Sequence, residues 1–169
     1  MTPLLSVTSN AKINLGLKIL NKRTDNFHNL QSVFIEINLN DKITFLNSEH
    51  LKIKCNLKSI PIDENNTIYK AYTLLNKKYN FKNQYCISLE KKIPPLSGLG
   101  GGSSNAACVI KALNKLENLN LNKKKLLTIA ASIGSDTPFF IDGKIKFIQG
   151  RGEIINNYSA PILDTLYIL

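Results

Sequence analysis

The sequence predicts an α+β fold in which helices pack on one face of a mixed β-sheet. Segments patterned as strands fill the first part of the chain, and helical patterns dominate the second part. A loop dense in glycine and proline, residues 93–102, stands where a strand gives way to a helix. With 169 residues, 43% of them hydrophobic, the chain is long enough to bury a sizeable core.

The strands follow from short apolar runs and from alternation. In residues 12–19 polar and apolar side chains alternate, which predicts a half-buried strand with Lys12, Asn14 and Gly16 on one face. The opposite face then holds Ile13, Leu15 and the other apolar residues. Further strands are predicted over residues 32–37, 42–45, 51–55, 84–89 and 141–149.

The helices follow from apolar residues at helical spacing. They are predicted over residues 66–79, from a cap at Ser103 or Ser104 onward, and over residues 122–133. A further helix is predicted to start at Asp136, with Pro138 in its first turn. The expected buried stripes are Ile68, Ala71, Leu74 and Leu75 in the first helix and Val109, Ile110, Leu113 and Leu116 in the second.

The glycine-rich segment is the most informative part of the chain. Residues 94–107 read Pro-Pro-Leu-Ser-Gly-Leu-Gly-Gly-Gly-Ser-Ser-Asn-Ala-Ala. Glycines allow close backbone approach to a ligand, and the helix that follows offers free N–H groups and a positive dipole end. The segment therefore predicts a phosphate cradle. A plain flexible connector between a strand and a helix is the alternative.

Two charged residues outside this loop are candidates for chemistry, and each has an ordinary structural interpretation. Lys12 could simply belong to a solvated strand face. Asp136 could simply cap the helix that starts there. The residue types alone leave both alternatives open.

Three segments together resemble the GHMP kinases. They are Ala-Lys-Ile-Asn-Leu at residues 11–15, the glycine-rich segment, and Ile-Gly-Ser-Asp-Thr-Pro-Phe-Phe at residues 133–140, which is similar to the family's L-G-A-D-V-P-F-F. The resemblance implies the family's N-terminal domain, a ribosomal protein S5 domain 2-like fold. It also implies a kinase domain over residues 1–160 and the start of a second domain over residues 161–169, including the apolar run 166–169.

The resemblance assigns roles to individual residues. Asp136 would accept the proton of the substrate hydroxyl, and Lys12 beside it would offset the developing negative charge. The expected cofactors are ATP and Mg²⁺, with the metal carried mainly by the ATP phosphates. The residues implied to bind ATP are Pro94, Ser97, Gly98, Leu99, Gly100, Gly101, Gly102, Ser103, Ser104, Asn105 and, in a segment similar to D-N-L-I, Asn66.

One turn narrows the choice of substrate among the GHMP kinases. Residues 23–32 resemble R-x-D-G-Y-H-x-L-Q-S/T of the branch that phosphorylates the 2-hydroxyl of 4-diphosphocytidyl-2-C-methyl-D-erythritol. The resemblance implies that Phe27 stacks on cytosine, that His28 reads the base edge, and that Asn14 also contacts the substrate. Asn26 replaces a glycine and can adopt a left-handed conformation. A kinase of another GHMP branch, and an ATP-binding remnant without turnover, remain alternatives.

Charge and cysteine content limit which partners and metal sites the sequence predicts. The net charge of +10 comes almost entirely from lysine, since Arg23 and Arg151 are the only arginines. Nucleic-acid readers usually rely on arginine, so we expect no nucleic-acid partner. No stretch approaches the ~20 apolar residues of a membrane helix, so we expect no membrane partner. The three cysteines are far apart and predict reduced thiols rather than a metal site. No signal peptide is evident, and the cytoplasm is the expected compartment.

Overall fold

The structure, a computed structural model, describes residues 2–26, 28–150, 152 and 154–158. Its strands are β1 (Leu5–Lys22), β2 (His28–Ser48), β3 (Lys52–Cys55), β4 (Gln84–Glu90), β5 (Ile145–Gly150) and β6 (Ile154–Asn157). Its helices are α1 (Thr67–Tyr79), α2 (Gly101–Leu116), α3 (Lys123–Ala131) and α4 (Phe139–Asp142). The predicted second-domain start, residues 161–169, lies outside the described residues.

The sheet is built around β2, which is 21 residues long. Antiparallel β1 follows β2 along almost its whole length, from the Leu5–Phe45 pair to the Lys22–His28 pair. On its other edge β2 pairs with β4 through residues 42–48 and with β5 through residues 30–35. The strand order is β3-β4-β2-β5-β6, and only the β3–β4 pair is parallel among these strands. The predicted mixed sheet of an α+β fold is therefore confirmed.

The core lies where α1 and α2 pack on each other and on the sheet. Tyr72 and Leu75 of α1 and Phe45 of the sheet are fully buried there. Leu74, predicted in the buried stripe of α1, is instead 36% exposed, and Tyr72 joins Ile68, Ala71 and Leu75 in that stripe. In α2 the predicted stripe is buried at Val109, Ile110 and Leu113 and partly buried at Leu116.

Three predictions about strands were wrong. The predicted break between residues 37 and 42 is absent, because β2 runs through it and pairs with β1 on both sides of the register shift at Asn10/Ala11. The second half of β1 is not half-buried: Leu15, Leu17 and Ile19 are 38%, 55% and 64% exposed. Alternation shows which residues share a face, but not whether another element covers that face.

The last predicted strand starts later than residue 141. Residues 139–142 belong to α4, and Gly143 and Lys144 both have positive φ, which reverses the chain before β5 begins at Ile145. The short strand β6 was not predicted at all. For helix α3 the prediction holds, with Asn122 as its cap accepting a hydrogen bond from the Lys125 amide.

The thiols of Cys55, Cys86 and Cys108 are all free, as predicted. Among the described helices none is both long and apolar enough to cross a membrane.

Candidate active site

The glycine-rich loop folds into a tight turn that starts helix α2. Gly98 and Gly100 have φ values of +76° and +70°, a conformation that glycine adopts without strain. Gly100 is the N-cap of α2, which therefore begins at Gly101. The prediction that Ser103 or Ser104 caps this helix was wrong, because the left-handed Gly100 already caps it three residues before Ser103.

The start of α2 is suited to an anion. The first amides of an α-helix have no partner inside the helix, and the dipole places positive potential at that end. No acidic residue occupies the first turn of α2. The carbonyl of Gly102 accepts a hydrogen bond of 2.7 Å from the hydroxyl of Thr67, which ties the start of α1 to the start of α2.

A cavity of about 420 Å³ opens in front of this turn, within the range of ~300–1,000 Å³ typical of ligand pockets. Ten of the eleven predicted ATP-binding residues line it: Asn66, Pro94, Ser97, Gly98, Leu99, Gly100, Gly101, Gly102, Ser103 and Asn105. Ser104 does not line it. Its hydroxyl is buried and forms a hydrogen bond of 2.7 Å with the hydroxyl of Ser9.

Asn66 and Asn105 line the cavity in different ways. The Asn66 side chain accepts from the Ile68 amide and donates to the Pro61 carbonyl, so its polar groups serve the cap of α1. The Asn105 Oδ1 is buried, and it has no hydrogen-bond partner among the described residues. An orphaned buried acceptor beside a cavity suits a ligand or a water molecule.

Lys12 lies directly against the glycine turn. Its amide donates a hydrogen bond of 3.0 Å to the Leu99 carbonyl, which holds the loop on β1. A Cβ atom added at Gly100 would lie 2.9 Å from the Phe140 ring and 3.1 Å from Lys12 Cγ. Only a residue without a side chain fits at this contact.

Lys12, Asn14 and Asp136 converge although Asp136 is far away in the sequence. The Lys12 ammonium donates to Asn14 Oδ1 at 2.6 Å and lies 3.7 Å from Asp136 Oδ2. It also sits 4.6 Å from the centre of the Phe34 ring. The Lys12 side chain is 6% exposed, whereas that of Asp136 is 31% exposed. The Asp136 carboxylate is therefore accessible from solvent.

Asp136 does not start a helix, contrary to the sequence prediction. Helix α4 begins three residues later, at Phe139, with Pro138 at its N-cap. The Asp136 carboxylate instead contacts Lys12 and the hydroxyl of Ser135, 3.5 Å away. A turn, rather than a helix start, therefore presents this side chain.

Several known proteins are similar to this chain. The family model for the GHMP kinases N terminal domain matches residues 66–144. A 4-diphosphocytidyl-2-C-methyl-D-erythritol kinase from Thermoanaerobacter pseudethanolicus is 38% identical over 97% of this chain and 57% of its own length. A protein of the same name from Prochlorococcus marinus is 43% identical over 94% of this chain and 52% of its own length. The chain has the fold of a GHMP kinase N-terminal domain.

Crystal structures of other proteins show the same fold as this GHMP kinase domain. One of 4-(cytidine 5'-diphospho)-2C-methyl-D-erythritol kinase superposes with a TM-score of 0.80 at 30% identity, over 93% of this chain and 56% of the other. Mevalonate kinase of Methanococcus jannaschii, at 17% identity and a TM-score of 0.63, shares the fold. The chain spans about half the length of the curated relatives it matches.

The turn that the sequence analysis expects to recognise the cytosine base lies at the end of the β1–β2 hairpin. Asn26 has a φ of +65°, the left-handed conformation expected where the resembling motif has glycine. Arg23 donates to Asn29 Oδ1 at 3.0 Å and to Asp25. His28 is exposed and pairs with Lys22 at the start of β2. No described contact joins it to the Lys12–Asp136 pair, and Phe27 lies outside the described residues.

Several residues at the site escaped the sequence analysis. Phe34 and Thr67 contact site residues, and Lys91 lines the cavity. Lys91 is also ion-paired with the fully buried Asp41. The chain has many lysines, and nothing in the spacing of Lys91 or Asp41 distinguishes them; only the position of Lys91 three residues before Pro94 hinted at a role.

Proposed function

We propose that this chain is the ATP-binding part of a kinase that phosphorylates the 2-hydroxyl of 4-diphosphocytidyl-2-C-methyl-D-erythritol. This reaction belongs to the methylerythritol phosphate pathway of isoprenoid precursor biosynthesis. The observation that carries the proposal is the 3.7 Å approach of Lys12 to Asp136 beside the glycine turn. The names of the relatives at 38–43% identity support the choice of substrate.

The proposed chemistry follows from what each group can do. The free amides at the start of α2 bind the ATP phosphates, and the cavity in front of them takes the rest of the nucleotide. The oxygen of the substrate hydroxyl bonds to the terminal phosphorus of ATP, and the bond between that phosphorus and ADP breaks. Asp136 accepts the proton that the hydroxyl loses. The Lys12 ammonium offsets the negative charge that develops on the transferred group.

Mg²⁺ would arrive with ATP in this proposal. The described residues include no group of three or more acidic, histidine or cysteine side chains that could hold a metal ion. Mg²⁺ generally keeps several waters and binds substrate phosphates.

Substrate recognition is proposed for Asn14, Phe27 and His28. Asn14 is the best placed of these, since its carboxamide is hydrogen-bonded to the Lys12 ammonium. His28 is exposed on the hairpin and available to a base. The second proposed domain from residue 161 onward would supply further contacts to the substrate.

A transfer assay tests the proposal. The purified chain is incubated with ATP labelled on its terminal phosphate and with 4-diphosphocytidyl-2-C-methyl-D-erythritol, homoserine or mevalonate in turn. We expect label only in the first product, and none with the Asp136→Asn variant. Transfer to another acceptor would assign a different GHMP reaction. Nucleotide binding without transfer to any acceptor would favour the second candidate, an ATP-binding domain without turnover.

A further inference from the structure

A buried ion pair lies outside every motif that the sequence analysis singled out. The Lys91 ammonium and Asp41 Oδ2 are 2.7 Å apart, and their side chains are 4% and 0% exposed. Burial of two charges costs free energy that the attraction between them does not always recover. Such a pair therefore calls for an explanation other than general stability.

The Asp41 carboxylate also holds the backbone that leads into the glycine loop. Its Oδ1 accepts hydrogen bonds of 2.8 Å from the amides of Lys92 and Ile93. On the other side of this segment, the Lys91 amide donates to Asn56 Oδ1 at 2.7 Å, and the Asn56 side chain donates back to the Lys91 carbonyl. Residues 91–93 are thus fixed from both sides.

This fixed segment supports the first turn of α2. A Cβ atom added at Gly101 would lie 2.8 Å from the Lys91 ammonium and 3.0 Å from Ile93 Cγ2. The backbone of Gly101 therefore rests directly on these two side chains. A cation at the start of a helix is opposed by the helix dipole, so Asp41 is needed to hold the ammonium there.

We propose that Asp41 and Lys91 are positioning residues that set the place of the phosphate-binding amides of α2. Asp41 fixes residues 91–93, and Lys91 and Ile93 fix Gly101. The inference rests on the proposed binding of ATP at this turn, and it assigns to the pair a role in nucleotide affinity beyond its role in folding.

Variants of the pair test the role. ATP affinity of the chain is measured by calorimetry, and thermal unfolding without nucleotide is measured in parallel, for Asp41→Asn, Lys91→Met and the double variant. Each single change leaves one buried charge unpaired, whereas the double change removes both charges at similar volume. The double variant is expected to unfold near the wild-type temperature and to bind ATP at least ~10-fold more weakly.

The neighbouring pair of Lys92 and Glu90 provides a matched control. Its charged atoms are 3.5 Å apart, and its side chains are 60% and 53% exposed. The double change Glu90→Gln with Lys92→Met should leave ATP affinity within about twofold, since exposed pairs contribute little. A folded Asp41→Asn/Lys91→Met protein that binds ATP like the wild type would overturn the inference.

If the double variant does not fold, a measurement on the wild-type chain tests the positioning role of Asp41 and Lys91. Nuclear magnetic resonance during ATP titration follows the Lys91 side-chain nitrogen and the amides of Lys92 and Ile93. We expect these signals to shift together with the Gly101 amide. A shift at Gly101 alone would refute the positioning role, while a wild-type chain that binds no ATP would refute the proposed nucleotide site as well.

Discussion

Gly100 shows at the residue scale how little freedom the proposed site allows. It combines a left-handed backbone with contacts to Lys12 and Phe140 that exclude a side chain. Gly98 has the same left-handed backbone but nothing within 4 Å of an added Cβ. The two glycines separate the cost of backbone conformation from the cost of steric overlap.

We expect Gly98→Ala to lower the free energy of unfolding by about 1–2 kcal/mol, the cost of a left-handed alanine. Gly100→Ala should cost a further ~1–3 kcal/mol through overpacking against Phe140 and Lys12. Urea unfolding of both variants measures the difference. Equal losses in the two variants would mean that the turn adjusts at no cost and that the contact is not tight.

Cys108 gives a second prediction at this scale. Burial raises the pKa of its thiol to about 11. Since the thiolate is the reactive form, about one Cys108 in a thousand is reactive at pH 8. Iodoacetamide at pH 8 should therefore modify the half-buried Cys55 well before Cys108, as followed by peptide mass spectrometry.

Unfolding in urea provides the control for this experiment, because both thiols should then react at similar rates. Equal rates in the native protein would contradict the burial of Cys108.

Lys12 and Asp136 were singled out from the sequence, but their setting was not predicted. Lys12 and Asp136 came from resemblance to family motifs, since neither strand alternation nor capping tendency distinguishes a catalytic charge from a surface charge. Their 3.7 Å approach could not be derived from spacing, because it depends on how β1 and the turn before α4 meet. Asp41 and Lys91 left no pattern, because a buried ion pair between distant residues has no local signature.

At the scale of elements, one carboxylate joins three of them. Asp142 at the end of α4 accepts hydrogen bonds of 2.8 Å from Lys123 of α3 and from Lys146 of β5. These hydrogen bonds, Lys123 first, lower the pKa of Asp142 from 3.8 to about 2. The Asp142 side chain is 39% exposed, so solvent screening keeps its contribution small.

A lowered pKa in the folded state stabilises the protein above the ordinary value near 3.8, and this contribution is lost as the pH falls through about 2. Asp142→Asn should therefore lower the free energy of unfolding by less than about 1 kcal/mol at pH 6 and by nothing measurable below pH 2. Urea unfolding across this range measures it. A penalty that does not change with pH would show that charge is not its cause.

Element types were predictable where the pattern was strong, as in α1 and β4, and boundaries failed where tertiary contacts decide them. The length of β2 depends on its pairing with β1, and the late start of β5 depends on two positive-φ residues, Gly143 and Lys144. The early start of α2 follows from Gly100, whose left-handed conformation makes a serine cap unnecessary.

At the scale of the whole molecule, the fold brings distant segments together at the glycine turn. The β1 strand brings Lys12, the loop after β4 brings the glycines, and the turn before α4 brings Asp136. The α+β architecture was predictable from the order of strand and helix patterns. The chain spans about half the length of the curated relatives it matches.

The central claim is that the start of α2 holds a triphosphate whose end faces Lys12 and Asp136. A crystal structure of the chain with a non-hydrolysable ATP analogue measures this directly. The account predicts the terminal phosphate within about 4 Å of the Lys12 ammonium, the distance of an ion pair. A nucleotide bound elsewhere, or one whose terminal phosphate points away from Asp136, would contradict it.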